Sequence, residues 1–231
     1  MTSAPRALVT GGGGNLGRAV AQALLDRGYE VHVTALNEAE RAALAGTPIG
    51  ARVEIHVADL ARERDTIRLF EDIGPPLAAV VGTVGGFTAG PFASVNEALL
   101  DQQYALNLKS AVLTLRHAHT ALRSNSGGAA AVLVANRPAL LGGAGVALTS
   151  AVKAGIVSLV RSVADEWRED GIAVNAVAPG VMDTPQNRRA MPGVDPARWP
   201  TPEQVAAVIA FLVSPDARII SGATLPVFGR S

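Results

Sequence analysis

The stretch that decides the fold is TGGGGNLG (Thr10–Gly17), which follows an apolar segment and precedes an amphipathic run, RAVAQALLDRG. Glycines between a strand and a helix allow a tight turn and a close approach of the backbone to a pyrophosphate, which then lies on the helix N-terminus. Because the turn stands between a strand and a helix, we interpret it as a dinucleotide site rather than as a flexible glycine-rich loop. We expect the cofactor to contact Gly11, Gly14, Asn15, Leu16 and Gly17.

Short apolar segments alternate with helical ones along the rest of the chain. Most of the apolar segments are continuous and rich in valine, as strands covered on both faces of a parallel sheet are. This alternation predicts an α/β fold: one Rossmann-type domain over residues 1–231, with a doubly wound parallel sheet of about seven strands and helices on both faces. The predicted strands are Ala7–Thr10, Val31–Ala35, Val53–Val57, Ala79–Val84, Ala131–Ala135, Ala173–Ala178 and Thr224–Val227.

Composition narrows the functional classes. The 231 residues are 48% hydrophobic and 17% charged with a formal net charge of zero, so we expect a globular protein without a nucleic-acid or membrane partner. Cysteine is absent, which excludes disulfides, thiol nucleophiles and cysteine-ligated metals, and we expect no metal site. The first residues lead directly into a strand and no apolar run is long enough for a bilayer, so we expect a cytoplasmic protein.

The end of the second predicted strand leaves the choice between NAD and NADP open. An acidic residue there would bind the ribose 2′-hydroxyl, and an arginine would suit a 2′-phosphate. The sequence Thr34-Ala35-Leu36-Asn37 has neither, and Arg41, one turn later, is flanked by Glu38 and Glu40. Asp59 follows the third predicted strand and is placed to cap the next helix.

The segment Ala129–Trp167 carries the candidate chemistry. It begins as an apolar strand, breaks at Arg137-Pro138, and continues as a long amphipathic helix that contains Lys153. The chain has 18 arginines and only two lysines, Lys109 and Lys153, which favours a specific task for Lys153 over a solvated surface position. Thr149 lies four residues earlier, so both side chains are expected to point from one helix face into the same cleft.

Three motifs resemble the short-chain dehydrogenase/reductase family, and within it the dihydropteridine reductases. The resemblance covers Thr10 to Gly229 and implies reduction of a C=O or C=N bond with NADH or NADPH by a homodimer or homotetramer. It also implies that the helices Val95–Arg123 and Gly145–Asp170 form the dimer surface, with the alternative that their apolar stripes pack in the core. The motifs are Gly11-x-x-Gly14-x-x-Gly17, Gly85-Gly86-Phe87-x-x-Gly90 and Asp183-Thr184-Pro185-x-Asn187-Arg188-x-x-Met191-Pro192 followed by Trp199.

The resemblance also assigns roles to individual residues. Asp59 and Leu60 match the adenine contacts, and Gly85 matches the last glycine of a segment whose small residues permit close approach of the cofactor. Pro179 and Gly180 match residues beside the nicotinamide, and Thr184 matches the threonine that binds its carboxamide. Lys153 matches the lysine that binds the nicotinamide ribose and supports the catalytic tyrosine. Asn107 matches an asparagine that interrupts a helix and holds a water of the proton relay.

The resemblance fails at two catalytic positions. The family's serine is replaced by Asn136 and its tyrosine by Thr149, although dihydropteridine reductases also lack the serine. An aliphatic hydroxyl is a far weaker acid than a phenol, and a neighbouring lysine does not close the gap, so Thr149 cannot replace the tyrosine. Other candidate proton donors are Lys153, Asp183 and Tyr104. We expect Tyr29 to lie far from the cleft, and Asn136 and Arg137 to orient the substrate.

The leading prediction is an NAD(P)-dependent oxidoreductase that acts on a small carbonyl, imine or quinonoid substrate. Its proton relay would be nonstandard, through Asn107, a water and Lys153, with Asn136 and Thr149 also in the catalytic cleft. Two alternatives remain open: a catalytically impaired NAD(P)-binding scaffold or partner subunit, and a non-redox enzyme on the same fold.

Overall fold

The computed structural model describes residues 4–230 as one seven-stranded, all-parallel sheet flanked by helices. The spatial order of the strands is β3-β2-β1-β4-β5-β6-β7, which is that of a doubly wound sheet. The predicted fold class is therefore confirmed. The strands are β1 Arg6–Thr10, β2 Glu30–Ala35, β3 Glu54–Val57, β4 Ala79–Gly82, β5 Ala129–Val134, β6 Ile172–Pro179 and β7 Thr224–Val227.

Helices cover both faces of the sheet, as its apolar strands require. Residues of α1 and α9 pack with one face in a cluster that includes Val20 and Ile209. Residues of α3, α5 and α7 pack with the other in a cluster that includes Leu69, Leu115 and Ile156. The helices are α1 Asn15–Leu25, α2 Glu38–Ala45, α3 Glu63–Ile73, α4 Glu97–Gln103, α5 Ser110–Arg123, α6 Arg137–Leu141, α7 Ala147–Glu166, α8 Pro185–Ala190 and α9 Pro202–Leu212.

The order of the strands fixes where a ligand can lie. Strands β2 and β3 lie on one side of β1, whereas β4 to β7 lie on its other side, so the order in which strands are added to the sheet reverses between β1 and β4. Crevices at such a switch point, beyond the carboxyl ends of the strands, are the ligand sites of open α/β sheets. The glycine turn after β1 and the loop after β4 both border this crevice.

Several element boundaries differ from those predicted. Strand β4 ends at Gly82 rather than Val84, because the Thr83 N–H and hydroxyl bond to Thr10 instead of continuing the ladder. Helix α3 begins only at Glu63 with Arg62 as its N-cap, so Asp59 is not the cap; it accepts a bond from the Ala61 N–H within the turn.

The long helix predicted over Val95–Arg123 is interrupted. It begins with α4 at Glu97, passes through a π-helical segment at Tyr104–Lys109 and continues as α5. The segment before α9 contains α8 and a short 3₁₀ turn at Pro196–Arg198.

Helix α7 is long and apolar enough to cross a membrane by length and composition, contrary to the expectation that no segment is. A core helix meets the same criterion, and Ile156 and Val160 of α7 are buried against the sheet. The apolar stripes of the two long helices include Val112, Leu115, Ile156, Leu159 and Val160. Leu115, Ile156 and Val160 are buried in the core, so for them core packing is the observed arrangement. Leu159 is partly buried, and Val112 has 38% of its area exposed.

Candidate active site

The glycine turn closes tightly against the ends of β1 and β2. Gly11 has a φ of 71°, a conformation that favours glycine, and its N–H donates to the Thr34 hydroxyl at 2.9 Å. A Cβ on Gly17 would lie 2.1 Å from the Gly11 carbonyl oxygen, so only glycine lets α1 pack this close to the turn. The turn therefore holds the start of α1 directly at the mouth of the crevice.

The N-terminus of α1 supplies free backbone donors there. The first helical hydrogen bond runs from the Arg18 N–H to the Gly14 oxygen, so the N–H groups of Asn15, Leu16 and Gly17 have no acceptor within the helix. Gly14 and Asn15 are exposed, whereas the Leu16 side chain is buried in the core and can offer only its backbone. These donors fit the pyrophosphate of a dinucleotide.

A cavity of about 230 Å³ runs from this turn along the carboxyl edge of the sheet. One of its walls comes from Glu40 of α2, whose carboxylate folds back over the turn and accepts a bond from the Leu36 N–H at 2.7 Å. A Cβ on Gly13 would lie 2.1 Å from a Glu40 oxygen, so the glycine makes room for this carboxylate. No arginine or lysine stands among the lining residues, which are Gly11, Gly14, Thr34, Leu36, Glu40, Ala58, Asp59, Leu60, Ala61, Thr83, Val84, Gly85, Leu106 and Ser110.

Two residues predicted to meet the adenine line this cavity. Leu60 is buried, while Asp59 is partly exposed and also pairs with Arg62 at 3.1 Å. Gly85 lines the same cavity. The structure thus brings the glycine turn, Asp59, Leu60 and Gly85 around one space.

Asn107 and Lys153 converge behind Gly85. A Cβ on Gly85 would lie 2.8 Å from Asn107 Oδ1 and also 2.8 Å from Lys153 Nζ, so both polar atoms approach one point. Asn107 is 1% exposed; its Oδ1 accepts from the Gly86 N–H, and its Nδ2 donates to the backbone and side-chain oxygens of Gln103. Its side chain therefore positions the loop after β4, and a part in a water relay stays a prediction.

Lys153 is a buried amine with a single protein partner among the described hydrogen bonds. Its Nζ donates to the Val134 carbonyl at the end of β5, at 2.8 Å. Burial lowers the pKa of Lys153 from its usual value near 10.5 to about 8. An amine with such a pKa is protonated at neutral pH and releases its proton far more readily than an ordinary lysine.

Thr149 lies one turn before Lys153 on α7, as predicted, but its hydroxyl is occupied. It donates to the Thr88 carbonyl at 2.8 Å and accepts from the Thr88 N–H at 3.1 Å. It is 1% exposed. In this arrangement Thr149 fastens the loop after β4 to α7, and the Gly90 N–H adds a bond to the Gly145 oxygen nearby.

The remaining predicted residues sit on the loops after β5 and β6. Asn136 caps α6 by accepting from the Ala139 N–H at 2.9 Å, and Thr184 caps α8 by accepting from the Asn187 N–H at 3.2 Å. Pro179 ends β6, and the Gly180 N–H donates to the Val227 oxygen of β7. Their expected contacts with substrate or nicotinamide stay predictions.

The other candidate proton donors are less suited than Lys153. Asp183 forms a two-bond ion pair with Arg188, and that hydrogen bonding holds the pKa of its carboxyl below the usual range, so it is no acid at neutral pH. Tyr104 is 48% exposed on the π-helical segment. Tyr29 is buried beside α9 with its hydroxyl on the Val213 oxygen, and burial raises its pKa.

Two residues of the site were not predicted from the sequence. Glu40, which flanks Arg41, is a wall of the cavity, and the signal for it is its spacing from the glycine turn, which is about that at which dinucleotide folds place an acidic residue. Thr88 carried no signal, because its bond to Thr149 spans 61 residues.

Comparison with known proteins identifies relatives over nearly the whole chain. Residues 13–229 match the family model described as Enoyl-(Acyl carrier protein) reductase. A levodione reductase from Leifsonia aquatica is 30% identical over 96% of this chain and 92% of its own length. The 3-oxoacyl-(acyl-carrier-protein) reductase MabA of Mycobacterium bovis is also 30% identical, over 96% of this chain and 90% of its own length.

A solved structure has the same architecture. It is titled a short chain dehydrogenase/reductase family protein and superimposes with a TM-score of 0.89 at 26% identity, covering 99% of this chain and 98% of the other. The relatives are oxidoreductases, and the matches extend through both the glycine turn and the helix that carries Lys153.

Proposed function

We propose, since the chain belongs to the short-chain dehydrogenase/reductase family, that it is an NAD(H)-dependent oxidoreductase that reduces a small carbonyl, imine or quinonoid substrate. The observation that carries this proposal is the convergence of Lys153 Nζ and Asn107 Oδ1 on one point beside Gly85. Gly85 lines the cavity that also contains the glycine turn, Asp59 and Leu60, which fit a dinucleotide. A buried amine at this place is suited to the reacting end of a nicotinamide.

Glu40 supports NAD(H) over NADP(H). Acidic residues at about this distance beyond the glycine turn bind the ribose 2′-hydroxyl in dinucleotide folds, whereas a 2′-phosphate requires a cation. Glu40 brings a carboxylate to the cavity, and none of the lining residues is an arginine or lysine. Arg41 pairs with Glu38 at 3.1 Å.

The proton step would depend on Lys153. The glycine turn, Asp59, Leu60 and Gly85 would hold a reduced nicotinamide dinucleotide, which would supply a hydride for the carbon of the C=O or C=N bond. The Lys153 ammonium then provides the proton for the oxygen or nitrogen, directly or through a water, and regains it from solvent. Val134 holds the amine in place, and burial brings its pKa close enough to neutrality for the transfer.

A quinonoid or imine acceptor suits this site best, because it can take its proton from water and makes less demand on the missing phenol. This substrate class agrees with the motif resemblance to dihydropteridine reductases, which we retain as part of the proposal. The third motif, from Asp183 to Trp199, is its main support.

One observation favours the alternative of a cofactor-binding protein without turnover. The Thr149 hydroxyl is committed to both backbone groups of Thr88, which closes the loop after β4 over the start of α7 where a substrate would approach. In that case the cleft would bind the cofactor and Lys153 would serve only as a ligand.

Assembly and location belong to the same proposal. We infer a homodimer or homotetramer formed through the outer face of α4, the π-helical segment and α5. Leu100, Tyr104 and Val112 recur there at multiples of four residues and are 46%, 48% and 38% exposed. We place the protein in the cytoplasm, with a small molecule as substrate and without nucleic-acid or membrane partners.

Steady-state turnover tests the proposal. NADH oxidation is followed with quinonoid dihydropterin, a quinone and a small ketone, with wild type, Lys153→Ala and Lys109→Ala. We expect turnover of at least one acceptor, its loss in Lys153→Ala and its persistence in Lys109→Ala, because Lys109 is exposed on the π-helical segment. Binding of NADH without oxidation by any acceptor would favour the alternative.

A further inference from the structure

A cluster of ligand-type side chains lies on the edge of the sheet, away from the candidate active site. His32 of β2 is paired in register with Glu54 of β3, and Thr34 with His56. Alternate residues of a strand share one face, so His32, Glu54 and His56 point to the same side of the two strands. Half of the chain's four histidines meet here.

The spacing of the three ligand atoms has the dimensions of a metal site. His32 Nδ1 is 3.1 Å from His56 Nε2 and 3.4 Å from one Glu54 oxygen, and the other Glu54 oxygen is 3.6 Å from His56 Nε2. Bonds of about 2.0–2.2 Å at tetrahedral angles place ligand atoms about 3.3–3.6 Å apart. An octahedral ion with bonds of similar length would hold neighbouring ligands closer, at about 2.8–3.1 Å. Both Glu54 distances fall in the tetrahedral range, and the 3.1 Å between the two histidines lies just below it, at the upper limit of the octahedral range.

We propose that His32, His56 and Glu54 bind a tetrahedral divalent transition-metal ion, such as Zn²⁺, that fastens the edge strand β3 to β2. The proposal is independent of the proposed function. His32 is buried, His56 is mostly buried, and the Glu54 side chain is 62% exposed, so the ion enters from the Glu54 side and takes a water as its fourth ligand.

Glu30 provides the outer support that metal-binding histidines usually have. Its carboxylate lies 3.6 Å from His32 Nε2, the ring nitrogen that faces away from the proposed ion. With a metal on Nδ1, the Nε2–H would donate to Glu30, which fixes the ring orientation.

A metal-free network competes for the same atoms. The Arg6 guanidinium lies 3.2 Å from His32 Nε2, and since it can only donate, the His32 proton then sits on Nδ1 and bridges to His56. Arg6 also donates to the Ile73 carbonyl at 2.5 Å and lies 3.7 Å from Glu30, so it keeps partners when His32 changes tautomer. The network thus has two arrangements, and the ion would select one of them.

The edge position gives the ion a structural task. Strand β3 has only four residues and pairs with a single neighbour, β2. An ion bound by both His32 and His56 would connect β3 to β2 in addition to the backbone hydrogen bonds between the two strands.

Metal titration of the tag-free, full-length chain tests this inference. Zn²⁺ binding is measured calorimetrically, with Co²⁺ absorption as a check on tetrahedral geometry, for wild type, His56→Asn, Glu54→Gln, Glu30→Gln and the control His117→Asn. His117 also faces a carboxylate, that of Glu63, but has no second histidine beside it. Hydrogen exchange of β3 is compared with and without Zn²⁺.

We expect one Zn²⁺ per chain, tetrahedral Co²⁺ bands and slower exchange at Glu54–Val57 when the ion is bound. His56→Asn should weaken binding at least about 100-fold, and Glu54→Gln and Glu30→Gln about tenfold or more, in line with ligand and outer-shell losses elsewhere. His117→Asn should change nothing. A metal bound to less than one tenth of the chains, or an affinity that His56→Asn leaves unaltered, would overturn the proposal.

Discussion

Lys153 is the residue on which the proposed chemistry depends most. Its pKa of about 8 places the loss of its proton within an accessible pH range. The ammonium is the proton-giving form and predominates below that pH, so reduction should be constant at lower pH and slow as the pH rises through about 8. We therefore expect kcat/KM for reduction by NADH to fall above about pH 8 in the wild type.

The matched variant is Lys153→Arg, which keeps the positive charge at all these pH values because guanidinium does not titrate below about pH 12. Its kcat/KM should be lower and should show no fall between about pH 7 and 10. A wild-type rate that rises through pH 8, or an identical fall in Lys153→Arg, would exclude Lys153 as the titrating donor.

Thr149 is predicted to act through the loop that it holds. Thr149→Val keeps the side-chain volume and removes both hydrogen bonds to Thr88. We expect a loss of about 1–3 kcal/mol in the free energy of unfolding, measured by urea denaturation, because two hydrogen bonds to the partly buried Thr88 backbone are lost. Ser150→Ala is the control, since the Ser150 hydroxyl bonds only to the Val146 carbonyl of the same helix.

Thr149→Ser should retain most of the stability that Thr149→Val loses, since it keeps the hydroxyl. If Thr149→Val and Ser150→Ala have equal effects, the hydroxyl does not fasten the loop.

For single residues, the sequence predicts which side chains share a face of one helix. It does not predict hydrogen-bond partners that come from distant parts of the chain. Lys153 and Thr149 share a face because they are one turn apart, and the structure agrees. The partner of Thr149 is Thr88, 61 residues away, and no local pattern encodes that pairing. The place of Glu40 depends on a similar contact, because its carboxylate approaches Gly13 of the glycine turn from α2.

The loop after β4 and the π-helical segment bring Gly85 and Asn107 next to Lys153 in the proposed cleft. A methyl group on Gly85 would displace Asn107 Oδ1 and Lys153 Nζ together, since both lie 2.8 Å from its Cβ position. We expect Gly85→Ala to lower kcat at least about tenfold, while NADH affinity falls less, as would follow from about 1.4 kcal/mol of lost transition-state stabilisation.

Gly90→Ala is the control in the same loop, because a Cβ there meets only the Ser94 hydroxyl at an ordinary 3.8 Å. It should keep near-wild-type turnover. Equal losses of kcat in the two variants would show that alanine at either position of the loop impairs turnover. The contacts of Gly85 with Asn107 and Lys153 would then not explain the effect.

The elements themselves were largely predictable, because valine-rich apolar runs and amphipathic runs differ in period. The strand Thr224–Val227 was predicted to the residue. The register between strands was not predictable, since it depends on how the whole sheet assembles. The meeting of His32 with His56 follows from that register alone, which is why a sequence without cysteine indicated no metal site.

At the scale of the whole molecule, we predict that the chain forms a homodimer or homotetramer. Wild type should have at least twice the 23.6 kDa mass of the chain by light scattering. The double variant Tyr104→Glu/Val112→Glu should be monomeric, because it places two charges in the inferred apolar contact. Val194→Glu, at a residue 46% exposed elsewhere, should keep the wild-type mass. A monomeric wild type would contradict the prediction.

Cofactor titration tests the central claim, that the cleft is built for NAD(H), most directly. NADH and NADPH are titrated into the full-length chain by calorimetry, with wild type and Glu40→Gln. The account predicts that the wild type binds one NADH per chain and binds NADPH at least about tenfold more weakly. In Glu40→Gln the difference between the two dissociation constants should shrink to about threefold or less, because the carboxylate that repels the 2′-phosphate is then absent. Saturable binding of neither cofactor would contradict it.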